Sequence, residues 1–344
     1  MKKFLSLVLA LAMTMSLVTV SAGAKDFTDN SKIEYKEAVD VVSAAGIVEG
    51  YENGAFNPQN TLTRGAAAKI ICNLILGPTT AGALVADTAP YSDVPTTNTF
   101  AGYIAYCQKE GIISGYADGT FRPAATLTGY AFMKMLLGAL GYDSEIEGYT
   151  GSNWSIAVGK RALGIELDDG NDNFVGTAAV TREEACLYAF NTLKATMVEY
   201  DAKTTVSVEG AQVTVGGSEA KNVSQDGYKS YTGDSDDTTL EFCEKNFDKL
   251  KAKDDTNGFD APATKWTYDG DEIGTYDKDA DATLVVADAE KSLETLITDG
   301  DYMDISSKDI DADAKVFFNG LDLGKYSAVK GDDALAGKGD IIDV

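Results

Sequence analysis

Apolar residues in the N-terminal half of the chain recur at helical spacing in three places, each just after a threonine. Thr63, Thr128 and Thr181 are the expected N-caps of these helices, and Thr181 with Glu184 three residues later forms a capping box. The apolar faces consist of Ala67, Ile70, Ile71 and Leu74, then Phe132, Met135 and Leu136, then Ala185, Tyr188 and Ala189. None of these helices can bury its apolar face alone, so we expect the three to pack together.

The segments that precede these helices repeat in sequence. Residues 47–64 read IVEGYENGAFNPQNTLTR and residues 112–129 read IISGYADGTFRPAATLTG, and the two align without a gap. A weaker third copy matches the second at Gly164 for Gly111, Ile165 for Ile112, Phe174 for Phe121 and Thr181 for Thr128. This self-similarity predicts three copies of one structural unit.

Each copy is predicted to contain a helix, a tight turn and a second helix. The first helix ends at Gly46, Gly111 or Gly164, because glycine readily adopts the left-handed conformation that terminates helices. A Gly-Tyr-x-x-Gly turn follows at residues 50–54 and 115–119. A short lead-in, FTD at residues 27–29 and YSD at residues 91–93, also precedes the first helix of two copies.

From about residue 200 the pattern changes to the alternation of β-strands. Strands are predicted at 204–208 and 212–215 around Gly210, and later at 265–268, 282–287, 314–318 and 341–344. Asn319-Gly320 is a strong hairpin-turn signal, and 239–250 is the one helical candidate. The apolar run at 341–344 indicates either a shortened chain or a strand that closes a sheet. The sequence therefore predicts a β-rich domain with a loose acidic insertion at 216–263.

The first residues resemble a secretory signal rather than a part of the fold. Lys2 and Lys3 precede an apolar stretch from Phe4 to Val20, and Ser21-Ala22-Gly23-Ala24 supplies a small-residue cleavage site. A transmembrane anchor is the alternative, but the stretch is short and no positive cluster follows it. No second long apolar run occurs, so no membrane insertion is expected after cleavage of residues 1–24.

The charge and the missing residue types exclude several classes of function. The net charge of −25 repels nucleic acid, and the absence of histidine excludes a Ser-His-Asp triad and histidine zinc sites. Carboxylate-only catalysis stays open. Cys72, Cys107 and Cys186 lie in apolar helical patterns, and with Cys243 they are expected to be buried thiols, although an exported protein could pair four cysteines in disulfides.

The repeated residues resemble the S-layer homology (SLH) domain. The shared pattern is [FY]-[ST]-D, then G-[IV]-[IV]-x-G-Y-x-x-G-x-F-x-P, then [IL]-T-R. This resemblance implies repeats at 26–78, 90–142 and 143–195, the last degenerate, which form one pseudo-threefold helical unit. The expected fold class is α+β multidomain, with an acidic β-rich region at 200–344.

The resemblance also implies a function and a set of binding residues. SLH repeats attach bacterial surface proteins non-covalently to secondary cell-wall polymers, often pyruvylated ones, through grooves that use the arginine after the capping threonine. The expected polymer-binding residues are therefore Arg64, Arg182, Thr63, Thr181, Gly50, Tyr51, Gly115 and Tyr116. The tyrosines could stack on sugar rings or simply pack the turn.

The chemistry of the arginines agrees with an anionic ligand. The chain has four arginines, Arg64, Arg122, Arg161 and Arg182, all within the repeats. A cation at a helix N-terminus opposes the helix dipole, so free backbone N–H groups with a guanidinium would suit a carboxylate. Alternatively, Arg64 and Arg182 pair with nearby carboxylates and only hold the repeats together. Gly129 replaces the arginine in the second copy, which puts its groove in doubt.

Two aspartate ladders in the C-terminal half offer weak calcium candidates. They are Asp277, Asp279 and Asp281, and Asp309, Asp311 and Asp313. Both lack the glycine and glutamate that complete a calcium loop, so solvated acidic turns are the alternative. No other cofactor is expected.

Together these features predict a non-enzymatic surface protein in the bacterial cell wall or S-layer. Its expected partners are a secondary cell-wall polymer, the peptidoglycan sacculus and other copies of itself. The rival hypotheses are an extracellular enzyme, such as a polysaccharide hydrolase, tethered by the same repeats, and a lattice protein that assembles with calcium.

Overall fold

The computed structural model describes most of the chain after residue 24. It covers 25–201, the backbone of 204–208 and 211–215, and residues 217, 219–258, 261–278, 280, 282–287, 291–298, 310, 314–329 and 335–344. The predicted signal peptide lies outside these residues, as do all of the ladder aspartates except Asp277. Two compact units result: one reaches Ala252 and includes Trp266–Ile273, and the other holds Lys253–Lys265 and Gly274–Val344.

Helices build most of the first unit. After a 3-10 turn at Asn30–Lys32 they are α1 Lys36–Ala44, α2 Arg64–Leu76, α3 Pro78–Ala81, α4 Ala101–Lys109, α5 Gly129–Leu140, α6 Trp154–Gly164 and α7 Arg182–Lys194. The hydroxyls of Thr63, Thr128 and Thr181 accept hydrogen bonds from the third backbone N–H of α2, α5 and α7. The predicted caps are therefore confirmed, and so is the capping box between Thr181 and Glu184.

The long helices pack on one another and on the shorter helices. Helix α2 contacts α5, and α5 contacts α7. Each shorter helix packs on the long helix of the preceding copy: α4 on α2, α6 on α5, and α1 on α7. The core between them is fully buried and includes Val41, Ile71, Leu74, Leu136 and Leu193.

Three backbone hydrogen bonds close this arrangement. The Leu62 N–H donates to Val180 O at 2.8 Å, the Val180 N–H to Leu127 O at 3.0 Å, and the Leu127 N–H to Leu62 O at 3.0 Å. Each of these residues immediately precedes a capping threonine. The three long helices therefore begin at one shared ring of main-chain hydrogen bonds.

The third copy aligns differently from the sequence prediction. Gly46 and Gly111 have φ of 73° and 71° just after α1 and α4, but the equivalent left-handed residue after α6 is Glu166, with φ of 58°. The N–H groups of Ile47, Ile112 and Leu167 donate to the fifth carbonyl before them. Matching Gly164 with Gly111 and Ile165 with Ile112 was therefore wrong.

The cause is a shorter turn. Leu167 stands seven residues before Phe174, whereas Ile112 stands nine before Phe121, so this segment of the predicted third copy is two residues shorter. Asn191 confirms the new register, since its amide donates to Leu167 O at 3.2 Å as the Asn73 amide donates to Ile47 O at 2.9 Å.

Short strands follow the helices. Strand β1 Val198–Tyr200 pairs with β4 Ala220–Asn222, and β2 Thr204–Val208 pairs with β3 Ala211–Val215, as predicted for that hairpin. The helix predicted at 239–250 is only α8, Phe242–Asn246. Leu250 instead begins β5 Leu250–Thr256, which forms an antiparallel sheet in the order β5-β6-β7 with β6 Pro262–Tyr268 and β7 Asp271–Asp277.

The remaining unit is a small antiparallel sheet with two short helices. Its elements are β8 Thr283–Val285, β9 Lys291–Ser292, α9 Leu293–Thr298, β10 Lys315–Phe318, β11 Leu321–Lys325, α10 Tyr326–Val329, β12 Leu335–Ala336 and β13 Ile341–Asp343. The sheet order is β11-β10-β13-β8, and β12 pairs with β9. Asn319-Gly320 makes the predicted turn, with φ of 50° and 77°, and the run at 341–344 pairs inside the sheet.

All four cysteines are buried thiols, as expected. Cys72 on α2 and Cys107 on α4 bring their sulfurs within 3.5 Å of each other. Their mutual contact and their burial raise the pKa of Cys72. Among the described residues, no helix has the length and apolarity to cross a membrane.

Candidate functional site

An aspartate clamp shapes the turn in each of the first two copies. The Asp29 carboxylate accepts the N–H groups of Phe56 and Asn57 at 2.7 and 2.8 Å, and Asp93 accepts those of Phe121 and Arg122, both at 2.7 Å. Burial raises the pKa of both carboxyls, but the hydrogen bonds outweigh it and hold each pKa below its usual value. The repeated lead-in is thus the support of the turn.

Arg64 lies against the turn of the second copy. Its Nε donates to Phe121 O at 2.8 Å and its Nη2 to Ser114 O at 3.3 Å. The guanidinium carbon lies 4.3 Å from the ring centre of Phe121 and 5.2 Å from that of Tyr116. Of the five N–H groups of a guanidinium, three therefore stay without a protein acceptor in the described part of the chain.

Arg182 repeats this geometry against the turn of the first copy. Its Nε donates to Phe56 O at 2.9 Å and its Nη2 to Glu49 O at 3.0 Å. The guanidinium carbon lies 4.7 Å from the ring centre of Tyr51. Neither arginine forms an ion pair with a carboxylate of the described residues. Both instead hold a neighbouring turn through its carbonyl groups, as the alternative of a purely structural role also requires.

The first N–H groups of these helices are not free. Arg64 N donates to Ala125 O and Gly65 N to Pro123 O, both at 2.9 Å, and Ala66 N donates to the Thr63 hydroxyl. Arg182 N and Glu183 N donate in the same way to Asn60 O and Pro58 O. The expectation that backbone N–H groups would bind an anion here was therefore wrong; only the side chains can do so.

A cavity of about 410 Å³ opens beside Arg64, and we call it the Arg64 groove. Its walls are Arg64, Ile112, Ile113, Ser114, Gly115, Tyr116, Phe121, Thr126, Leu127, Thr128, Ala131, Lys134, Met135, Tyr149, Thr150, Gly151 and Trp154. This lining has two cations and no carboxylate, in a chain of net charge −25. The groove is therefore a cationic site on an acidic protein.

Lys134 is the second cation of this groove. Its Nζ donates to Tyr149 O at 2.7 Å and lies 5.8 Å from the Trp154 ring centre. Burial lowers the pKa of both Lys134 and Arg64, because each charge has left water without gaining a carboxylate. An anion in the groove would supply the missing counter-charge.

The corresponding surface beside Arg182, here the Arg182 groove (Arg182, Glu49, Tyr51 and Lys69), has a different charge. Glu49 stands where the second copy has Ser114, and Lys69 stands where it has Lys134. The two are 3.4 Å apart and form an ion pair. Lys69, the second cation of the Arg182 groove, is therefore already neutralised by the carboxylate of Glu49.

The third groove begins at Gly129, which replaces the arginine. Its cavity is about 120 Å³ and includes Glu184, Phe174 and Tyr188. A Cβ on Gly129 would lie 2.9 Å from the Phe174 ring, so the close approach of this ring to the backbone excludes a larger residue at position 129. The small cavity and the carboxylate of Glu184 in its lining thus agree with the doubt that this groove binds the polymer.

The other predicted site residues line the grooves or support their turns. A Cβ on Gly50 would lie 2.6 Å from the Phe27 ring, and one on Gly115 would lie 2.3 Å from the Tyr91 ring, so both glycines permit close packing. Tyr51 and Tyr116 are 45% and 43% exposed and cover the arginines. That any of these residues contacts a polymer stays a prediction.

The sequence did not identify Lys134 and Trp154 as groove residues. It also did not identify the difference in charge between Ser114 in one groove and Glu49 in the other. The gap-free alignment of the first two copies contains this contrast directly, because Ser114 and Glu49 occupy the same column. Comparing side-chain charges column by column would have found it.

Comparison with known proteins agrees with the resemblance in the first two copies. The family model of the S-layer homology domain matches residues 26–68 and 90–129, and the third copy lies outside these matches. A "Surface layer protein" of Brevibacillus choshinensis is 31% identical over 150 residues, which are 43% of this chain and 13% of the relative. A "Cellulosome-anchoring protein" of Acetivibrio thermocellus is 33% identical over 84 residues, 24% of this chain and 19% of the relative.

A "Middle cell wall protein" of Brevibacillus brevis is 28% identical over 152 residues, 43% of this chain. The matches span 13%, 14% and 19% of these three relatives, so this chain corresponds to less than a fifth of each. Residues 26–68 and 90–129 are therefore similar to the S-layer homology domain.

Proposed function

We propose that this protein is an extracellular surface protein held non-covalently on a secondary polymer of the bacterial cell wall. The support is the pair of matched SLH segments and the relatives named for surface layers, cell walls and anchoring. These names favour a binding role over an enzymatic one. An S-layer or surface-coat role, with contacts between copies, belongs to the same proposal.

The anchoring unit we propose has three copies related by pseudo-threefold symmetry. The cyclic hydrogen bonds among Leu62, Leu127 and Val180 support it, as does the cyclic packing of the first helices. The equivalent backbone bonds of Ile47, Ile112 and Leu167 support a degenerate third copy. The third copy then completes the unit and supplies Arg182, whereas the groove at its own turn is the small one beside Gly129.

The Arg64 groove is the principal binding site in this proposal. The single observation that carries it is the placement of Arg64 and Lys134 around one cavity whose lining has no carboxylate. Hydrogen bonds to charged groups contribute about 1.5–3 kcal/mol each, so two cations can select an anionic saccharide from the neutral glycans of the wall.

The ligand is an acidic saccharide that carries a carboxylate, and a pyruvate ketal has this chemistry. Three N–H groups of Arg64 have no acceptor among the described residues, and a planar carboxylate can accept two of them in parallel. Trp154 and Tyr116 provide aromatic surface beside the cations for the sugar ring. The Arg182 groove is a weaker second site because of Glu49.

The test is binding of the chain from residue 25 onwards to purified cell walls, before and after extraction of secondary polymers. Arg64→Gln should weaken binding about 10- to 100-fold, since one charged hydrogen-bonding group is lost. Arg161→Gln is the matched control, because Arg161 is also in the repeats but is not among the residues that line the groove, and it pairs with Glu147.

Binding that disappears after extraction and in Arg64→Gln, but persists in Arg161→Gln, is the expected result. Unchanged binding to extracted walls would contradict a secondary polymer as the ligand. A wild-type chain that does not bind intact walls would contradict anchoring altogether. Walls treated to remove pyruvate ketals then determine whether that group is the carboxylate.

A further inference from the structure

A cluster of three carboxylates lies outside the grooves, in the segment that leads into α8. One oxygen from each of Asp237, Glu241 and Glu244 lies within 4.8 Å of the others. Glu241 and Glu244 are only 8% and 2% exposed, whereas Asp237 is half-buried. Buried carboxylates are ordinarily paired with a cation or fully hydrogen-bonded, so this cluster needs a physical explanation.

Glu244 is well supplied with hydrogen-bond donors. Its carboxylate accepts from Tyr231 N at 2.9 Å, from Gln225 Nε2 at 3.1 Å and from Glu241 N at 3.2 Å. These contacts fix its position and satisfy its charge without any cationic side chain.

Glu241 is not satisfied in this way. The Thr239 hydroxyl donates to its Oε1 at 3.2 Å, but its Oε2 is buried and has no hydrogen-bond donor among the residues that the structure describes. Burial, reinforced by the nearby carboxylates of Asp237 and Glu244, raises its pKa to about 8. No lysine or arginine of the described residues forms an ion pair with any of the three carboxylates. The oxygen without a donor thus lies in a cluster of like charge.

We propose that Asp237, Glu241 and Glu244 bind one calcium ion. The cation would neutralise the cluster and give the Glu241 Oε2 the partner it lacks in the described part of the chain. An all-oxygen set of carboxylates suits a hard divalent cation rather than zinc or copper. Calcium–oxygen distances of about 2.3–2.6 Å also allow two ligands on opposite sides of the ion to stand as far apart as the oxygens here.

The site would fasten the connecting segment to the repeat helices. Phe242 N donates to Ala195 O at 3.0 Å, and Met197 N donates to Leu240 O at 2.8 Å, so residues on both sides of Glu241 bond to the chain that leaves α7. Calcium would therefore make the chain after the last repeat more rigid. This role is independent of polymer binding in the Arg64 groove.

The experiment compares calcium and magnesium binding by the chain from residue 25 onwards after treatment with a chelator. Isothermal titration should show one calcium site with a Kd of about 10⁻⁵–10⁻³ M, in the range from sensors to extracellular modules. Terbium, a luminescent calcium mimic, gives a local signal, because Tyr231 contacts Glu244 and its ring stacks on Trp266 at 6.0 Å.

Glu241→Gln should remove the calcium site and the sensitised terbium emission, and calcium should displace terbium from the wild type. Asp226→Asn is the matched control, because it removes one exposed acid near the site and should change nothing. If Glu241→Gln does not fold, Asp237→Asn at the half-exposed ligand replaces it and should weaken calcium binding at least tenfold.

Two results would overturn the proposal. Calcium binding that persists in both variants would place the ions elsewhere on the acidic surface. A wild type that binds no calcium would show that the carboxylates share a proton instead.

Discussion

The Arg64 and Arg182 grooves share their backbone but not their charge. In both, an arginine after a capping threonine donates through Nε and Nη2 to two carbonyls of a neighbouring turn and lies on a tyrosine ring. The Arg64 groove adds Lys134 and Ser114, whereas the Arg182 groove adds Lys69 paired with Glu49. The arginine motif therefore locates a groove, and its neighbours determine whether an anion can bind there.

The largest effect on wall binding is expected when the carboxylate of the Arg182 groove is introduced into the Arg64 groove. Ser114→Glu places in the Arg64 groove the carboxylate that Glu49 places in the other one, where it would pair with Arg64 or Lys134 and repel an anion. Wall binding should fall at least tenfold, or about 1.4 kcal/mol. Thr80→Glu, at an exposed position of α3, adds the same charge elsewhere. An equal loss in both variants would show that net charge, rather than the groove, controls binding.

The reverse exchange should give a smaller gain. Glu49→Ser frees Lys69 from its ion pair, which borders solvent and contributes little by itself. We expect the affinity for the polymer to rise about threefold, because a second groove then contributes. The measurement is the apparent Kd on intact walls, with Arg182→Gln added to the same background. If that addition does not abolish the gain, Glu49 acts through another surface.

The smallest effect is expected for the aspartate that supports the turn in each of the two grooves. Asp29→Asn and Asp93→Asn should each lower the free energy of unfolding by about 1 kcal/mol near neutral pH, because a charged acceptor of two backbone N–H groups is lost. The folded-state pKa of each aspartate is depressed. Its stabilisation is therefore present above the unfolded value near ~3.9 and is lost as the pH falls through the lower folded value.

Thermal unfolding of the chain from residue 25 onwards between pH 7 and pH 2 measures this directly. The gap between wild type and each variant should be similar for the two aspartates and should close at the acidic end. A large effect of one aspartate alone would show that the two turns are not supported equally.

Local chemistry made much of the helical unit predictable. A threonine cap, a left-handed glycine and a tight turn each depend on a few neighbouring residues. The first two copies could therefore be predicted from the local sequence. In the predicted third copy the turn is two residues shorter and Glu166 takes the position of the glycine, which only the backbone register reveals. The helix predicted at 239–250 was too long because Leu250 pairs in a sheet, and such pairing overrides local propensity.

The site was less predictable than the fold for a related reason. Arg64 and Arg182 follow from the motif, but whether their helix N–H groups are free depends on carbonyls of another copy, far along the chain. Lys134 lines the Arg64 groove together with Tyr149 and Trp154 of the next copy. Asp237, Glu241 and Glu244 were overlooked among many acids, because burial alone distinguishes them.

The hydrogen-bonded ring of Leu62, Leu127 and Val180 has a consequence for the order of folding. The N–H of Leu62 can donate to the carbonyl of Val180 only after the ribosome has added more than a hundred further residues. The first copy made is therefore among the last to be completed, and no pair of copies can close the ring without the third. A chain made from its N-terminus therefore completes this ring only after the residues that lead into α7 have been made.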